Sequence, residues 1–129
     1  MKKVYIALSF DDRKELSEEI SIIKDVLVAK KYEPLVFVND FVFSARDSEK
    51  EMMDSACSEI RDADILIAEV SHKAIGVGLE IGYAKALGKK IVYVRRVGSE
   101  YSKTIGGVSD EMIVYKDVFD LKTQLQKIF

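Results

Sequence analysis

Short apolar segments recur along the chain, and amphipathic stretches separate them. The short segments are rich in β-branched residues and show little alternation of polar and apolar positions, which is typical of strands buried on both faces. They are Val4 to Leu8, Pro34 to Val38, Ile65 to Val70, Ile91 to Val94 and, more weakly, Met112 to Tyr115. Strands that alternate with helices in this way predict a mainly parallel sheet.

The intervening stretches carry apolar residues at helical spacing. Two of them follow capping-box patterns, Asp12-x-x-Glu15 and Ser48-x-x-Glu51, a third ends at Gly88, and a fourth follows Asp117. The apolar positions that define these helices are Leu16, Ile20, Ile23 and Leu27; Met53, Cys57 and Ile60; Leu79, Tyr83, Ala86 and Leu87; and Val118, Leu121, Leu125 and Ile128. The sequence therefore predicts a three-layer, flavodoxin-like or Rossmann-like α/β domain with a mainly parallel five-stranded sheet.

Composition narrows the function classes. A chain of 129 residues is the size of one domain, and we expect a single domain over residues 1–129. The net charge of −2 argues against nucleic acid as a partner. Cys57 and His72 are the only residues of their types, so an intrachain disulfide, a Cys/His zinc site or a cofactor is not expected. No secretory pattern or membrane-length apolar run is found, which predicts a cytoplasmic location.

Ligands of open α/β sheets bind beyond the carboxyl ends of the strands, where the strand order reverses. This rule selects the residues that follow the strands, and we expect Phe10, Asp40, Gly76 and Gly78 to contact a substrate. The segments concerned are 9–12 after the first strand, 39–40 after the second, 71–80 after the third and a long loop at 95–107 after the fourth. The phenylalanines around Asn39 and Asp40 are candidates for stacking on a base, and these are Phe37, Phe41 and Phe43.

The segment after the third strand is the most informative. Gly76-Val77-Gly78-Leu79-Glu80 places two glycines at a predicted helix N-terminus and a carboxylate in the first turn. The helix dipole favours an ionised acid there by ~0.3 to 1 kcal/mol at exposed sites. On spacing alone, Glu80 can equally be an acid that complements the dipole, with glycines that allow close helix–strand packing. The short glycine pattern is weak evidence for a dinucleotide site.

Two segments resemble the signature of a known family. They are Asp62-Ala63-Asp64-Ile65-Leu66-Ile67-Ala68-Glu69-Val70-Ser71 and Gly76-Val77-Gly78-Leu79-Glu80-Ile81-Gly82-Tyr83-Ala84. Together they look like the signature of the nucleoside 2-deoxyribosyltransferases and their relatives, the 2′-deoxynucleoside 5′-phosphate N-hydrolases. Weaker matches, at Val4 to Ser9 and at Tyr101 to Ile105, extend the resemblance over nearly the whole chain.

The resemblance implies a chemistry and a set of roles. Members cleave the N-glycosidic bond of a deoxynucleoside through a glutamate nucleophile and a deoxyribosyl-enzyme, the logic of retaining glycosidases. Glu80 occupies the position of this nucleophile, and Tyr5 matches a tyrosine that holds the nucleophile and the sugar. Ser9 and Ser102 match hydroxyls that contact the 5′-phosphate in the N-hydrolase branch. The resemblance also implies a homodimer in which Ser102 reaches the partner's ligand, and the helix with Met52, Met53 and Ala56 is a candidate interface.

Two positions depart from the family pattern. Ala56 stands where the family usually carries an aspartate that assists the leaving base, and we expect it on the buried face of the second predicted helix. Ala74 stands where the N-hydrolase branch places a phosphate-binding serine. Three functions therefore stay open: a deoxynucleoside or deoxynucleotide N-glycosidase or transferase, a nucleotide-binding protein that lacks turnover, and a TIR-like interaction or NAD-cleaving module.

Overall fold

The computed structural model describes residues 1–41 and 48–129, and it confirms the predicted fold. Five parallel strands form one sheet in the order β2-β1-β3-β4-β5, which is the flavodoxin-like order. The strands are β1 Lys3–Ala7, β2 Glu33–Val36, β3 Ile65–Glu69, β4 Lys90–Arg96 and β5 Glu111–Tyr115. Strand order reverses between β1 and β3, so the loops that follow these two strands separate at the carboxyl edge of the sheet.

Helices cover both faces of this sheet. They are α1 Ser17–Ala29, α2 Phe37–Asp40, α3 Glu49–Asp62, α4 Ile75–Ala86, α5 Lys103–Val108 and α6 Val118–Ile128, with a short 3-10 turn at Phe10–Asp12. Alternate strand residues divide the core into two clusters: Ile6 and Ile67 pack with α1 and α6, whereas Tyr5 and Leu66 pack with α3 and α4. Within residues 1–41 and 48–129, no helix is both long and apolar enough to cross a membrane.

Three local predictions were wrong. The second strand ends at Val36, because the chain turns there into the short helix α2. The Asp40 carboxylate at the end of this helix accepts a hydrogen bond from the Val36 backbone amide at 2.9 Å, which stabilises the turn. The expected loop at 95–107 contains part of α5, whose first turn is capped by Ser102. The Asp12 capping box does not form, since α1 begins only at Ser17. The Ser48 capping box is confirmed, with both of its hydrogen bonds present.

The buried face of α4 also differs from the predicted one. Val77, Ile81 and Ala84 face the sheet, whereas Leu79 is 53% exposed and Leu87 is 42% exposed. The helix is apolar around most of its circumference, so periodicity alone does not select the face that packs. Its outward side therefore presents apolar residues to solvent.

A buried polar network anchors the segment that leads into α4. The Glu69 carboxylate accepts hydrogen bonds from the Ser71 amide at 2.7 Å, from the Ser71 hydroxyl at 2.9 Å and from the Tyr115 hydroxyl. The Ser71 Oγ in turn accepts the backbone N–H of Arg96 at 2.9 Å, and the Arg96 guanidinium pairs with the buried Glu19. The network joins the ends of three strands to α1 and fixes where the polypeptide leaves β3.

We expect Gly106→Ala to displace the Tyr101 ring. A Cβ at Gly106 would overlap the Tyr101 hydroxyl, whereas a Cβ at Gly107 in the same helix meets nothing within 4 Å. Tyr101 stacks on the buried Tyr93, with centroids 6.1 Å apart, and losing such a pair costs about 0.5 to 1.5 kcal/mol. Urea unfolding should therefore show Gly106→Ala to be less stable than Gly107→Ala. Equal stability of the two variants would contradict the assignment of Gly106 to this contact.

Candidate active site

A cavity of about 290 Å³ opens at the carboxyl edge of the sheet, where the strand order reverses. The loop after β1, helix α2, helix α3 and the first turns of α4 enclose it. The lining residues are Leu8, Ser9, Phe10, Phe37, Val38, Phe41, Met52, Met53, Ala56, Ala74, Gly76, Val77 and Glu80. Glu80 and Ser9 supply the polar side chains of this described lining, and the remaining surface is apolar or backbone. Such a cavity suits a flat apolar ring with one reactive polar end.

Tyr5 and Glu80 form the polar contact at this site. The Tyr5 hydroxyl, on a fully buried side chain of β1, donates a hydrogen bond to the Glu80 carboxylate on α4. Burial raises the pKa of Glu80 from its ordinary value to about 7, and the hydrogen bond from Tyr5 counteracts part of this rise. Burial and the neighbouring Glu80 also raise the pKa of Tyr5, so its hydroxyl remains a donor near neutral pH.

The expectation that a helix N-terminus keeps Glu80 ionised was wrong. Helix α4 begins at Ile75, which places Glu80 in the second turn instead of the first. The field of a helix end falls off within one turn, so desolvation dominates the pKa of this carboxyl. A group that titrates near neutrality inside a cleft is typical of catalytic carboxylates.

Aromatic rings form one wall of the cavity. Phe37 stacks on Tyr5, with centroids 6.0 Å apart, and on Phe41, with centroids 5.0 Å apart. Phe10 lines the mouth and is 57% exposed, and the Arg13 guanidinium lies 3.6 Å from its ring centroid. These rings can stack on a planar heterocycle. Phe43, the third predicted stacking candidate, lies outside the described residues.

The structure brings together some of the predicted site residues and separates others. The predicted residues that line the cavity are Ser9, Phe10, Gly76 and Glu80. Tyr5 does not line it, but its hydroxyl donates a hydrogen bond to Glu80. Gly78, Asp40 and Ser102 do not line it: the Asp40 carboxylate closes α2, and the Ser102 hydroxyl accepts the Ile105 amide at 3.2 Å.

Sequence reasoning missed the contribution of α3 to the cavity wall. Met52 and Met53 were interpreted as core or interface residues, yet both line the cavity. Ala56 is buried as predicted and also lines it. The signal available in the sequence was an apolar helix face directly after a predicted loop, and it does not distinguish a cavity wall from a core.

The glycines of α4 are not required by close packing. A Cβ at Gly76, Gly78 or Gly82 would meet nothing within 4 Å, so close helix–strand contact does not explain these residues. Gly76 is one of the residues that line the cavity, whereas Gly78 and Gly82 do not line it.

One group of metal-ligating side chains occurs among the described residues, beside the loops after β1 and β3. Ligand atoms of Asp12, Glu15 and His72 lie within 4.8 Å of one another. The His72 Nδ1 is 3.3 Å from Asp12, and Arg96 lies 3.6 Å from Glu15, so the three side chains find partners within the protein. Two of them are exposed, and none lines the cavity.

We expect Glu80→Gln to change how stability depends on pH. Folding raises the pKa of Glu80 to about 7, so the stability associated with its proton is fully present below about pH 4.5 and is lost as pH rises through 7. The amide variant escapes this loss and should gain on the order of 3 kcal/mol relative to wild type between pH 4.5 and pH 8. Urea unfolding at the two pH values measures the difference.

Glu18→Gln, an exposed site on α1, is the control for this measurement and should track wild type at both pH values. If Glu80→Gln also tracks wild type, then Glu80 is not the desolvated carboxyl that its surroundings indicate.

Comparison with known proteins identifies relatives of this chain. A family model described as nucleoside 2-deoxyribosyltransferase matches residues 4–124. A putative 2′-deoxynucleoside 5′-phosphate N-hydrolase 1 of Thermofilum pendens is 28% identical over 126 residues, covering 90% of this chain and 87% of that protein. The 5-hydroxymethyl-dUMP N-hydrolase of Mus musculus is 43% identical over 53 residues, and a protein of Syntrophotalea carbinolica that bears the same name as the Thermofilum one is 54% identical over 41 residues. The match to the Mus musculus protein covers 40% of this chain and 31% of that protein. The match to the Syntrophotalea carbinolica protein covers 32% of this chain and 29% of that protein.

Solved structures share the fold. The CMP N-glycosidase BcmB of Clostridium botulinum superposes with a TM-score of 0.75 at 22% identity, covering 99% of this chain and all of that chain. The 2-deoxyribosyltransferase of Bacillus psychrosaccharolyticus superposes with a TM-score of 0.71 at 18% identity, covering 95% of each chain. At these identities the likeness concerns the fold, whereas the family model spans the strand that carries Tyr5 and the helix that carries Glu80. The chain that carries Glu80 and Tyr5 at this cavity therefore belongs to the nucleoside 2-deoxyribosyltransferase family.

Proposed function

We propose that the protein cleaves the N-glycosidic bond of 2′-deoxynucleosides or their 5′-monophosphates, with Glu80 as the nucleophile. The observation that carries the proposal is a half-buried carboxylate, hydrogen-bonded to Tyr5, that lines an aromatic-walled cavity of about 290 Å³. The family match and the N-glycosidic chemistry in the names of the relatives support it.

The reaction proceeds in two displacements at the anomeric carbon. An oxygen of the ionised Glu80 carboxylate attacks C1′, and the bond from C1′ to the base nitrogen breaks with its electron pair going to the base. The product is a deoxyribosyl ester of Glu80. A second nucleophile then attacks C1′ from the side that the base has left, and it releases the carboxylate. Water in this step gives hydrolysis, whereas a second base gives transfer.

Tyr5 positions the nucleophile. Its hydroxyl holds one carboxylate oxygen by a hydrogen bond, which leaves the other oxygen to face the sugar. The same bond stabilises the ionised form and limits how far burial raises the pKa of Glu80. Attack requires the ionised carboxylate, so base release should increase as pH rises through about 7.

The 5′ end of the substrate lies at the N-terminus of α4 in this proposal. Ala74 gives that helix no side-chain cap, so the first-turn amides remain available to an anion near Gly76. The Ser9 hydroxyl lines the same cavity and can donate a hydrogen bond to a phosphate or to a 5′-hydroxyl. Phe10, Phe37 and Phe41 hold the base.

We expect Glu80→Ala to lower the rate of base release by several orders of magnitude, because it removes the nucleophile. Free base released from a panel of deoxynucleosides and their 5′-monophosphates measures the effect, with and without an acceptor base. Glu18→Gln is the control and should retain the wild-type rate. Near wild-type turnover of Glu80→Ala on a confirmed substrate would exclude Glu80 as the nucleophile.

A second candidate function is nucleotide binding without turnover. The residue that favours it is Ala56, which α3 contributes to the cavity wall. Ala56 supplies a methyl group where the family usually presents a carboxylate, so assistance to the leaving base is absent at this position. The same base-release panel distinguishes the two candidates. Binding of a deoxynucleotide to the cavity without release of its base would establish the second.

We further propose that the active form is a homodimer. Helix α4 presents Ile75 and Leu79 outward, 93% and 53% exposed, directly beside the cavity residue Gly76. Exposed apolar side chains at helical spacing support an interface on this helix. The Met52 and Met53 side chains line the cavity instead, so the α4 face replaces the α3 face expected from the sequence. The Ser102 hydroxyl, outside the cavity of its own chain, would reach the partner's ligand.

Sedimentation should show a species of twice the 14.6 kDa chain mass. Leu79→Lys should shift that species towards the monomer, since it places a charge in an apolar contact. Lys122→Glu, an exposed change on α6, is the control and should leave the mass unchanged. A wild-type monomer with full activity would contradict the dimer proposal.

A further inference from the structure

Phe10 is an exposed aromatic residue in the described lining of the cavity. It begins the short 3-10 turn Phe10–Asp12 after β1 and is 57% exposed, whereas Phe37 of the same lining is 9% exposed. A phenyl ring on such a turn moves among staggered rotamers unless a contact holds it. Binding a ligand to a moving ring costs the conformational entropy of fixing that ring, and a ring that is already held avoids this cost.

The Arg13 side chain holds Phe10 at two points. Its guanidinium carbon lies over the Phe10 ring, 3.6 Å from the ring centroid. Its Nη1 donates a hydrogen bond to the Phe10 carbonyl oxygen at 2.9 Å. The turn itself is closed by a hydrogen bond from the Asp12 amide to the Ser9 carbonyl oxygen at 3.0 Å. The ring and the main chain of Phe10 are thus restrained by one guanidinium.

We propose that Arg13 is a positioning residue for the base of the substrate and that it acts through Phe10. An aromatic ring has two faces, and Arg13 occupies one of them. The opposite face of Phe10 then stacks on the base of a deoxynucleoside or deoxynucleotide in the cavity. The inference rests on the proposed function and adds a residue that determines how tightly the site binds a base.

The order guanidinium, ring, base is physically consistent. A cation is attracted to the face of an aromatic ring, and the attraction grows when water is excluded. A base that covers the other face of Phe10 removes water from the ring, so the contact with Arg13 and the contact with the base strengthen one another. Every base has a flat face, so this stacking raises the affinity for bases in general and selects only weakly between them.

Arg13 and the proposed nucleophile belong to different elements. Arg13 lies in the segment between β1 and α1, whereas Glu80 is carried by α4 and accepts the hydrogen bond from Tyr5. Loss of Arg13 should therefore weaken substrate binding more than it slows the chemical step. In kinetic terms, Arg13→Ala should raise KM for base release and leave kcat within about twofold.

The first experiment measures binding by calorimetry in proteins that also carry Glu80→Ala, so that no base is released during the titration. The four common 2′-deoxynucleoside 5′-monophosphates are screened, and the tightest of them is compared with 2-deoxyribose 5-phosphate, measured by competition. Arg13→Ala should weaken binding of the nucleotide roughly five- to tenfold, the low end of the range for the loss of one stacked base. Affinity for the sugar phosphate should stay within about twofold, because this ligand has no ring to stack on Phe10.

A double-mutant cycle tests whether Arg13 acts through Phe10. Phe10→Leu keeps an apolar side chain but removes the ring that Arg13 contacts, and it should weaken binding of the same nucleotide at least about fivefold. Adding Arg13→Ala to Phe10→Leu should then change the affinity by less than about twofold, since the contact is already lost. Full additivity of the two changes would overturn the positioning role.

Lys14→Ala is the matched control, because it removes the same charge from the exposed neighbouring position. It should leave both affinities at the values of Glu80→Ala alone. A parallel loss of affinity for the nucleotide and the sugar phosphate in Arg13→Ala would overturn the inference, since Arg13 would then serve the anionic end of the ligand. An unchanged nucleotide affinity in Arg13→Ala would overturn it as well.

The failure of the inference and the failure of the proposed function give different results. Base release by the wild-type protein, together with nucleotide binding that does not depend on Arg13, would overturn the inference alone. Nucleotide binding that depends on Arg13 without base release by the wild-type protein would overturn the proposed cleavage and leave Arg13 as a positioning residue of a nucleotide-binding site. Absence of both binding and base release with all four nucleotides would overturn both.

Discussion

The reversal of strand order between β1 and β3 is the constraint on which the site depends. Both strands run in the same direction, yet their crossovers lead to opposite faces of the sheet, so their outgoing loops separate. The space between these loops cannot be filled by the chain that follows either strand. Helices α2, α3 and α4 border this space, and their apolar side chains make it a cavity of about 290 Å³.

Placing Glu80 in that cavity has an energetic consequence. A carboxylate loses hydrogen bonds to water when it is buried. At Glu80 the hydrogen bond from the Tyr5 hydroxyl replaces part of this lost hydration. The compensation is incomplete, which is why the pKa of Glu80 rises to about 7. A pKa of about 7 leaves part of the Glu80 carboxyl ionised at neutral pH. The stability of the fold therefore depends on pH through this group.

A buried polar network joins the strand ends at the remainder of the carboxyl edge. The network of Glu69, Ser71 and Tyr115 fixes the exit from β3, and Arg96 ties it to α1 through Glu19. Helix α4 therefore starts from a defined point, and its first turns present Gly76 and Glu80 to the cavity. Its opposite side is apolar and exposed at Ile75 and Leu79.

Much of the architecture followed from the sequence alone. Runs of β-branched residues that alternate with helical periodicity determined the parallel sheet, and a capping box at Ser48 determined where α3 starts. The family signature selected Glu80 and Tyr5, which lie far apart in the chain and meet in the fold. The sheet and the start of α3 could be predicted because each depends on a local pattern, whereas the roles of Glu80 and Tyr5 stay predictions.

The tertiary structure decided what local patterns leave undetermined. Glu80 was expected in the first turn of α4 as an acid kept ionised by the helix dipole, whereas the helix starts earlier and burial governs its pKa. Asp40 was expected at the ligand and instead closes α2 through the Val36 amide. Met52 and Met53 became cavity wall because an apolar helix face is the same in sequence whether it meets a core or an opening. Solvation and packing depend on neighbours brought from distant positions in the chain, so the sequence determined the sheet and selected Glu80 as a candidate, and only the fold determined their environment.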